Sequence, residues 1–302
     1  MGPHATTETS KAPGTSPGAA TPRLTDVIAA AEALWPPELA QDWDVVGLAA
    51  GDREQPVRRI LLALDPCDAT IDEAIRLRAD LLFTHHPLLL RGVTSVAADT
   101  LKGGQLTTLI RHGIAQYNAH TNADAAVGGV NDVLIEALGV RDARPLEDPG
   151  APEPGTGIGR IGDLPATTTL RAFAEAAADA LPATVQGLRV AGDPELPVRR
   201  VAVCSGAGDS LFGLVRGTDA DVYLTSDLRH HPAAEALDTA ARRPHGGRPA
   251  LIDTAHWASE SIWLPRAAQQ LHRQLQAQGF EVETVVSEAS SDPWAFRVHQ
   301  NT

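Results

Sequence analysis

The feature of this sequence that most constrains its fold is a repeated alternation of short apolar runs with amphipathic stretches. The runs RRILLALD (58–65) and ADLLFTH (79–85) flank the stretch DATIDEAIRLR, and IAQYNAH (114–120) follows the stretch QLTTLIRHG. Apolar runs of about four to eight residues are typical of buried strands, whereas apolar residues about three and four positions apart are typical of helices. Strands that alternate with helices predict an α/β fold with mainly parallel sheets covered by helices.

A second series of the same kind follows a segment rich in proline and glycine. Residues 143–165 are read as a long surface connection on that composition. After it come the apolar runs VRRVAVCSG, ADVYLT and PALIDT, with helical stretches between them. The alternation therefore predicts two α/β lobes.

The two series set the expected domain boundaries. Lobe one is expected to comprise residues 24–130 plus 245–302 and to carry most of the candidate ligands, and lobe two residues 131–244. The alternation alone leaves open to which lobe the final 50 or so residues belong. Residues 1–23 are rich in Ala, Thr, Pro, Gly and Ser and lack hydrophobic periodicity. Such a composition does not repay the entropy of ordering, so these residues are predicted to form a disordered tail.

Charge and cysteine content exclude several classes of function. A formal net charge of −13 argues against a nucleic-acid partner, because phosphate recognition requires a basic face. The two cysteines, Cys67 and Cys204, lack metal-binding or disulfide spacing and favour a reducing compartment. No apolar run is long enough to span a membrane, and the N-terminus has no apolar signal region. The expectation is a cytoplasmic protein without a membrane partner.

Histidines and carboxylates cluster where the predicted strands end. In parallel α/β sheets the carboxyl ends of the strands open onto the crevice in which ligands bind. Four successive strand exits carry an imidazole, a carboxylate or both. The residues are His85 and His86 after ADLLFT, His120 and Asp124 after QYNA, Asp227, His230 and His231 after VYLT, and His256 and Glu260 after ALIDT.

Each of these groups also has a purely structural interpretation. The His-His-Pro sequence can cap a strand, and the loop after His120 contains residues common in turns and helix caps. His256 and Glu260, four positions apart, can form an ordinary pair on a helix surface. The convergence of His85, His86, Asp124, His256 and Glu260 would instead supply three imidazoles and two carboxylates, a set suited to Zn(II), Fe(II) or Mn(II). Five ligands are generous for one ion but natural for two ions that share a bridging carboxylate.

Two further features remain open between a structural and a functional role. The glycine-rich SGAGDS (205–210) lies between a strand and a helix, where its amides could receive a phosphate, but it lacks a complete phosphate-binding pattern and favours a plain tight turn. The tryptophans Trp43, Trp257 and Trp263 are expected to be core or interface anchors.

The order of the motifs carries a family resemblance. The segments WDVVGL, ADLLFTHHPLL, GIAQYNAHTNADAAVGGVNDVL, GRIGDL, VAVCSGAG, DVYLTSDLRHH and LIDTAHWASE resemble the Nif-three-like dinuclear-metal family, whose members are often named GTP cyclohydrolase 1 type 2 homologues. The resemblance covers about residues 24–275. It implies interleaved α/β lobes with the metal site in the crevice between them, two divalent metal ions per subunit and a homohexamer whose sites face an internal cavity.

The resemblance also implies roles for individual residues. His86 and Asp124 would hold one metal, His85 and His256 would hold the other, and Glu260 would bridge the two. His120 and His231 would contact substrate or move protons and are the candidate catalytic residues.

The function expected from these features is metal-dependent hydrolysis of a small-molecule substrate, for which a nucleotide is one candidate. Two divalent ions would lower the pKa of a water that attacks carbon or phosphorus. The alternative is a non-catalytic metal-binding or regulatory scaffold protein, because five ligands do not by themselves establish turnover.

Overall fold

The computed structural model describes residues 20–146, 154–243 and 246–298, in which two sheets are covered by helices. The first sheet has five strands, and three of its four pairings are parallel, while the pairing at one edge is antiparallel. This confirms the predicted α/β fold. In spatial order the strands are β1 (Gly47–Ala50), β4 (Ala115–Asn118), β3 (Leu81–Thr84), β2 (Arg59–Ala63) and β11 (Glu283–Val286).

Both faces of the first sheet are covered at its centre, where β2 and β3 are apolar at nearly every position. Ile60 and Leu62 of β2 pack on one side against α1 (Leu24–Leu34) and α10 (Leu264–Ala277). Leu61 and Ala63 point the other way, toward α2 (Asp68–Leu77) and α3 (Leu101–Arg111). Successive side chains of a strand alternate between the faces, so a continuous apolar run fits a sheet covered on both sides.

The second sheet has six strands and is of mixed direction. Its three middle strands, β8, β9 and β10, are parallel, and the other pairings are antiparallel. The strands in spatial order are β5 (Arg141–Pro145), β6 (Arg160–Thr169), β8 (Pro197–Ala207), β9 (Val222–Ser226), β10 (Ala250–Thr254) and β7 (Arg189–Ala191). Its covering helices are α5 (Val130–Ala137) and α6 (Leu170–Ala180) on one face, and α7 (Phe212–Arg216) and α8 (His230–Ala241) on the other.

In its described residues, 143–146 and 154–165, the segment is not the surface connection that its composition predicts, and residues 147–153 lie outside the described part of the chain. It contains most of β5 and the first half of β6, which is hydrogen-bonded to β8. The β6–β8 register shifts between Asp163 and Thr168, on either side of Pro165. A strand that breaks its own alternation at a bulge carries no clear periodic signal.

The predicted lobe boundaries differ from the sheets at the C-terminal end. Strand β10 lies in the second sheet, although residues 245–302 were assigned to lobe one. The chain returns to the first sheet only with α10 and β11. Residues 1–19 of the predicted tail lie outside the described residues, whereas Ala20 is hydrogen-bonded to Gly279 and Glu281. No helix in the described part of the chain is long and apolar enough to cross a membrane.

Two short helices connect the strand ends of the two sheets. Helix α4 (Thr121–Ala125) follows β4, and α9 (His256–Ser261) follows β10. Ile262, directly after α9, packs against the apolar cores of both sheets. The carboxyl ends of β3 and β4 therefore lie close to the carboxyl ends of β8 and β10, and the candidate ligands are on these segments.

Candidate metal centre

The twin histidines occupy the exit of β3, the middle strand of the first sheet. Nδ1 of His85 lies 2.9 Å from the carbonyl oxygen of Ala119, and Nδ1 of His86 lies 2.6 Å from Oδ1 of Asp65. Both contacts require Nδ1–H to be the donor, because a carbonyl and a carboxylate oxygen only accept. Each ring therefore presents a free Nε2, the arrangement in which histidine binds metal ions.

Glu260 lies between three imidazole rings. Its Oε2 is 3.1 Å from Nε2 of His86 and 3.1 Å from Nε2 of His256, and its Oε1 is 3.7 Å from Nε2 of His85. Helix α9 produces part of this geometry, because residues four positions apart lie on one helix face. The Glu260 side chain is buried. Its two oxygens thus face different rings, as a bridging carboxylate requires.

Asp124 and His120 complete the opposite side of the cluster. Oδ1 of Asp124 lies 3.8 Å from Nε2 of His85 and accepts a hydrogen bond from Ser205 Oγ at 3.1 Å. Nδ1 of His120 donates to Asp44 Oδ1 at 2.8 Å, which leaves its Nε2 free. The ligand atoms of His85, His86 and His120 lie within 4.8 Å of one another, and so do those of His86, His256 and Glu260.

The distances pair the ligands differently from the family resemblance. The resemblance places His86 with Asp124 and His85 with His256. In the structure Nε2 of His86 lies 3.3 Å from Nε2 of His256, and Asp124 lies beside His85. The bond to Ala119 fixes the ring of His85, and the bond to Asp65 fixes the ring of His86.

The electrostatics of the cluster require positive charge. Burial alone would lower the pKa of His86, but the charge of Glu260 and the hydrogen bond to Asp65 raise it to about 10. Burial would also lower the pKa of His256, but the charge of Glu260 and the hydrogen bond to Asp227 raise it to about 11. Burial would raise the pKa of Glu260, yet the facing histidines hold it well below its usual range.

The donor set fits divalent cations on structural grounds. Nε2 of His85 is buried and has no hydrogen-bond partner among the described residues, which is costly unless a cation takes that place. The facing nitrogens of His86 and His256 need a proton or a metal ion near them. Imidazole and carboxylate donors suit Zn(II), Fe(II) and Mn(II) alike.

Sequence reasoning assigned no role to the carboxylates that orient the rings, and of the three it singled out only Asp227. Asp44 bonds to His120, Asp65 bonds to His86, and Asp227 bonds to His256 through Nδ1 at 2.7 Å. Asp65 directly follows β2, so the strand-exit pattern that selected the histidines would also have selected it. Burial would raise the pKa of Asp44, but the hydrogen bonds that it accepts from His120 and Thr121 have the larger effect and lower its pKa to about 2.

A glycine of the SGAGDS segment is part of the site. Gly206 has φ +62°, and a Cβ at this position would lie 2.3 Å from Oε1 of Glu260. Its amide donates to Ser259 Oγ at 3.0 Å. The amide is thus used within the protein, which favours the tight-turn interpretation over a phosphate site.

Two residues singled out from sequence lie outside the cluster. His231 is exposed in the first turn of α8, where its ring contacts His230. Within the described residues it makes no contact with the five ligands. Trp43, expected to be an anchor, is 61% exposed, and its edge meets the ring of His120 at a centroid distance of 5.9 Å. Trp263 is fully buried, as expected of a core residue.

A cavity of about 270 Å³ opens beside the cluster. Asp124, His256 and Glu260 form its floor, and Trp43 and His120 form part of its wall. Hydroxyl and apolar side chains share the rest of the lining. Three of the five candidate ligands, Asp124, His256 and Glu260, are therefore accessible to a small molecule from this cavity.

Comparison with known proteins gives one consistent result. The model of the Duf34/NIF3 (NGG1p interacting factor 3) family matches residues 22–293. A Streptomyces coelicolor protein named GTP cyclohydrolase 1 type 2 homolog is 50% identical over 278 residues, which are 92% of this chain and 95% of that protein. A Mycobacterium tuberculosis protein of the same name is 34% identical over 377 residues, covering 90% of this chain and 96% of the relative. That alignment exceeds the length of this chain, so the relative contains a segment that this chain lacks.

A solved structure agrees with the sequence comparisons. A Bacillus cereus protein described as related to NIF3 superposes with a TM-score of 0.82 at 25% identity. The match covers 92% of this chain and all of that chain. The similarity therefore extends over both sheets and both halves of the candidate site.

Proposed function

The chain belongs to the Duf34/NIF3 family, and on that premise we propose that it is a dinuclear metal-dependent hydrolase. The observation that carries the proposal is the convergence of three imidazoles and two carboxylates, of which Asp124, His256 and Glu260 line an open cavity. A catalytic metal site keeps a position open to substrate, whereas a structural site is closed by protein ligands.

We propose that two ions are held with Glu260 between them. His86 and His256 would hold one ion, and His85 and Asp124 would hold the other, with His120 as a further ligand or a neighbour on that side. When bound, two divalent ions supply Lewis acidity that lowers the pKa of water and stabilises negative charge on a substrate oxygen. Zinc, iron and manganese all fit this donor set.

His120 is the residue best placed to move a proton. Asp44 fixes its Nδ1–H, so Nε2 is the atom that accepts or donates at the wall of the cavity. This orientation by a carboxylate is what a general base requires. His231 is the second candidate from the sequence, and its exposed position on α8 makes a direct role in proton transfer a prediction that rests on the resemblance alone.

The substrate is proposed to be a small molecule, and a nucleotide is the first candidate because of the names of the relatives. Trp43 offers an exposed aromatic edge at the cavity, where a planar base would find apolar contact. We further propose, from the family resemblance, a homohexamer of the 31.8 kDa chain. A cytoplasmic location stays a prediction.

The test loads metal-free protein with Zn(II), Mn(II) or Fe(II) and measures turnover of GTP, other nucleotides and simple phosphoesters. We expect turnover that is lost in Glu260→Gln and lowered about 100-fold or more in His120→Ala. His112→Ala is the matched control, because His112 is an exposed histidine bonded only within α3 and its cap. If metal-loaded wild type binds ions but turns over none of these compounds, the non-catalytic scaffold is the better description.

A further inference from the structure

The chain after β11 is attached to the first sheet beside the metal centre. We call residues 287–298 the C-terminal segment. The amide of Ser287 donates to the carbonyl of Leu62 at 2.8 Å, and its hydroxyl donates to Glu73 of α2. The amide of Glu288 donates to the same carboxylate at 3.3 Å. These bonds fix the start of the segment next to the exit of β2.

Four residues farther on, the segment reaches a carboxylate that orients a metal ligand. The hydroxyl of Ser291 donates to Oδ2 of Asp65, while Oδ1 of Asp65 accepts from Nδ1 of His86. We propose that Ser291 is a positioning residue of the metal centre, acting through Asp65 to fix the ring of His86. The proposal rests on the metal site of the proposed function and makes the C-terminal segment a determinant of metal affinity on the side of His86 and His256.

The hydrogen bond from Ser291 restricts rotation of the Asp65 carboxylate. The carbonyl of Asp65 accepts from Thr70 Oγ1 at 2.7 Å, so its backbone is held by the N-terminal turn of α2. Its side chain is one-third exposed, so without Ser291 water would compete for Oδ2 and the carboxylate could rotate. A carboxylate held at both oxygens keeps Nδ1–H of His86 directed at it and Nε2 directed at the metal.

His120 is also oriented by a carboxylate whose two oxygens both accept hydrogen bonds, that of Asp44, but there the second bond comes from a residue nearby in sequence. Oδ2 of Asp44 accepts from the amide and hydroxyl of Thr121, which is the residue next to His120 in sequence. The second bond of Asp65 comes instead from a residue 226 positions away. Orientation of His86 therefore depends on correct docking of the C-terminal segment, whereas orientation of His120 is local.

The far end of the segment contacts the other lobe. Nη1 of Arg297 donates to the carbonyl of Gln186 at 3.3 Å, and Nε2 of Gln186 donates to Asp253 of β10 at 3.2 Å. The segment thus runs from the first sheet to the second sheet, with Ser291 between the two attachments. The hydroxyl of Ser291 is therefore positioned by attachments of the segment before it and after it in sequence.

The test compares Zn(II) affinity of full-length, metal-free variants by competition with a chromophoric chelator. Ser291→Ala removes the hydroxyl, Ser291→Thr keeps it, and Ser290→Ala is the matched control. The Ser290 side chain is exposed and bonds only to the amide of Asp292 within the segment. Loss of an outer hydrogen bond to a metal-binding histidine weakens binding about 10-fold to 100-fold. We expect roughly a tenfold loss for one of two ions in Ser291→Ala, at the lower end of that range, since Asp65 itself remains.

We expect Ser291→Thr and Ser290→Ala to bind zinc with wild-type affinity. We also expect the thermal unfolding of all metal-free variants to be unchanged. Equal affinity of Ser291→Ala and wild type for both ions would overturn the positioning role and leave the metal centre intact. Equal weakening in Ser291→Ala and Ser290→Ala would also overturn it, because general loosening of the segment would then explain the loss. Failure of wild type to bind zinc would instead overturn the proposed function.

Discussion

Each histidine of the centre has one ring nitrogen bonded to an oxygen and the other directed at the cluster. A backbone carbonyl does this for His85, and carboxylates do it for His86, His120 and His256. A carboxylate partner raises the basicity of the ring and fixes its orientation. Three of the four rings therefore combine ligand geometry with a charge partner, which distinguishes them from histidines that only pack or cap.

The conformation of Gly206 gives the first prediction. Gly206→Ala should abolish metal binding, because the new Cβ would lie 2.3 Å from Oε1 of Glu260 and 3.1 Å from Nε2 of His256. Left-handed backbone adds a strain of about 1–2 kcal/mol. Gly139→Ala is the matched control, since Gly139 has φ +72° and open space around its Cβ. Zinc titration and thermal unfolding should show similar destabilisation from backbone strain in both variants but lost binding only in Gly206→Ala.

The raised pKa values predict proton release on metal binding. The ordinary value of 6.5 rises to about 10 in His86 and about 11 in His256. The protonated rings of His86 and His256 therefore stabilise the metal-free fold fully below about pH 6.5, and this contribution is lost as the pH rises through 10 and 11. A bound metal takes the place of these protons, so zinc affinity should increase with pH over that range.

Calorimetric titration at pH 8 in two buffers of different ionisation enthalpy measures this release. Both rings are protonated at that pH in the metal-free protein, so binding should release protons from His86 and His256. A heat of binding that is independent of the buffer would contradict the charge state described here.

At the residue scale, the sequence indicated which candidate ligands come together, but not the residues that hold these ligands in position. His85, His86, Asp124, His256 and Glu260 lie at strand exits and carry the family motifs, and the structure brings them together. Whether they bind metal stays a prediction. Asp65 and Ser291 carry no motif, because their roles depend on a contact between residues distant in sequence.

At the scale of elements, the short helix α9 and the turn after it connect the ligands to the core. The ring of Trp263, which follows α9, packs against Trp35 at a centroid distance of 5.2 Å and against His85 at 5.6 Å. The amide of Trp263 also donates to the carbonyl of Glu260 at 3.0 Å. One buried residue therefore supports ligands from both lobes.

Trp263→Ala should destabilise the protein by about 3–5 kcal/mol, because removing a buried tryptophan leaves a large cavity. The loosened His85 ring should also lower zinc affinity. Trp294→Ala is the control, since Trp294 is 63% exposed, and surface changes of this kind stay within about 0.5 kcal/mol. Denaturant unfolding of the metal-free variants measures the difference. Equal stabilities of the two variants would show that the packing of Trp263 does not support α9.

The elements recovered from sequence were those with regular periodicity. Helix α2 and strands β2, β3 and β4 agree with the predicted stretches. The strands that were missed, β1, β5, β6, β7 and β11, are sheet edges, bulged strands or partly exposed strands. Such strands are defined by their pairing partners more than by their own residues.

At the scale of the whole molecule, the metal centre lies where two sheets meet. His85, His86 and Asp124 follow strands of the first sheet, and His256 and Glu260 follow a strand of the second. The C-terminal segment then contacts both lobes. A site assembled in this way forms only when the entire chain is folded.

The sequence predicted two lobes but misplaced one strand between them. Alternation of strands and helices indicates how many units exist, but β10 joins β9 because of a parallel pairing that the sequence does not encode locally. The same limit applies to the pairing of the ligands. The direction of each ring at the end of β3 depends on Ala119 and Asp65, which come from neighbouring strands.

The central claim is that five side chains separated in sequence hold two divalent ions. Elemental analysis of protein purified without added metal tests it most directly. We expect about two ions of zinc, iron or manganese per chain in wild type and a clear loss in the double variant His85→Ala with His256→Ala. Wild-type protein without metal, or a double variant with the wild-type content, would contradict the account.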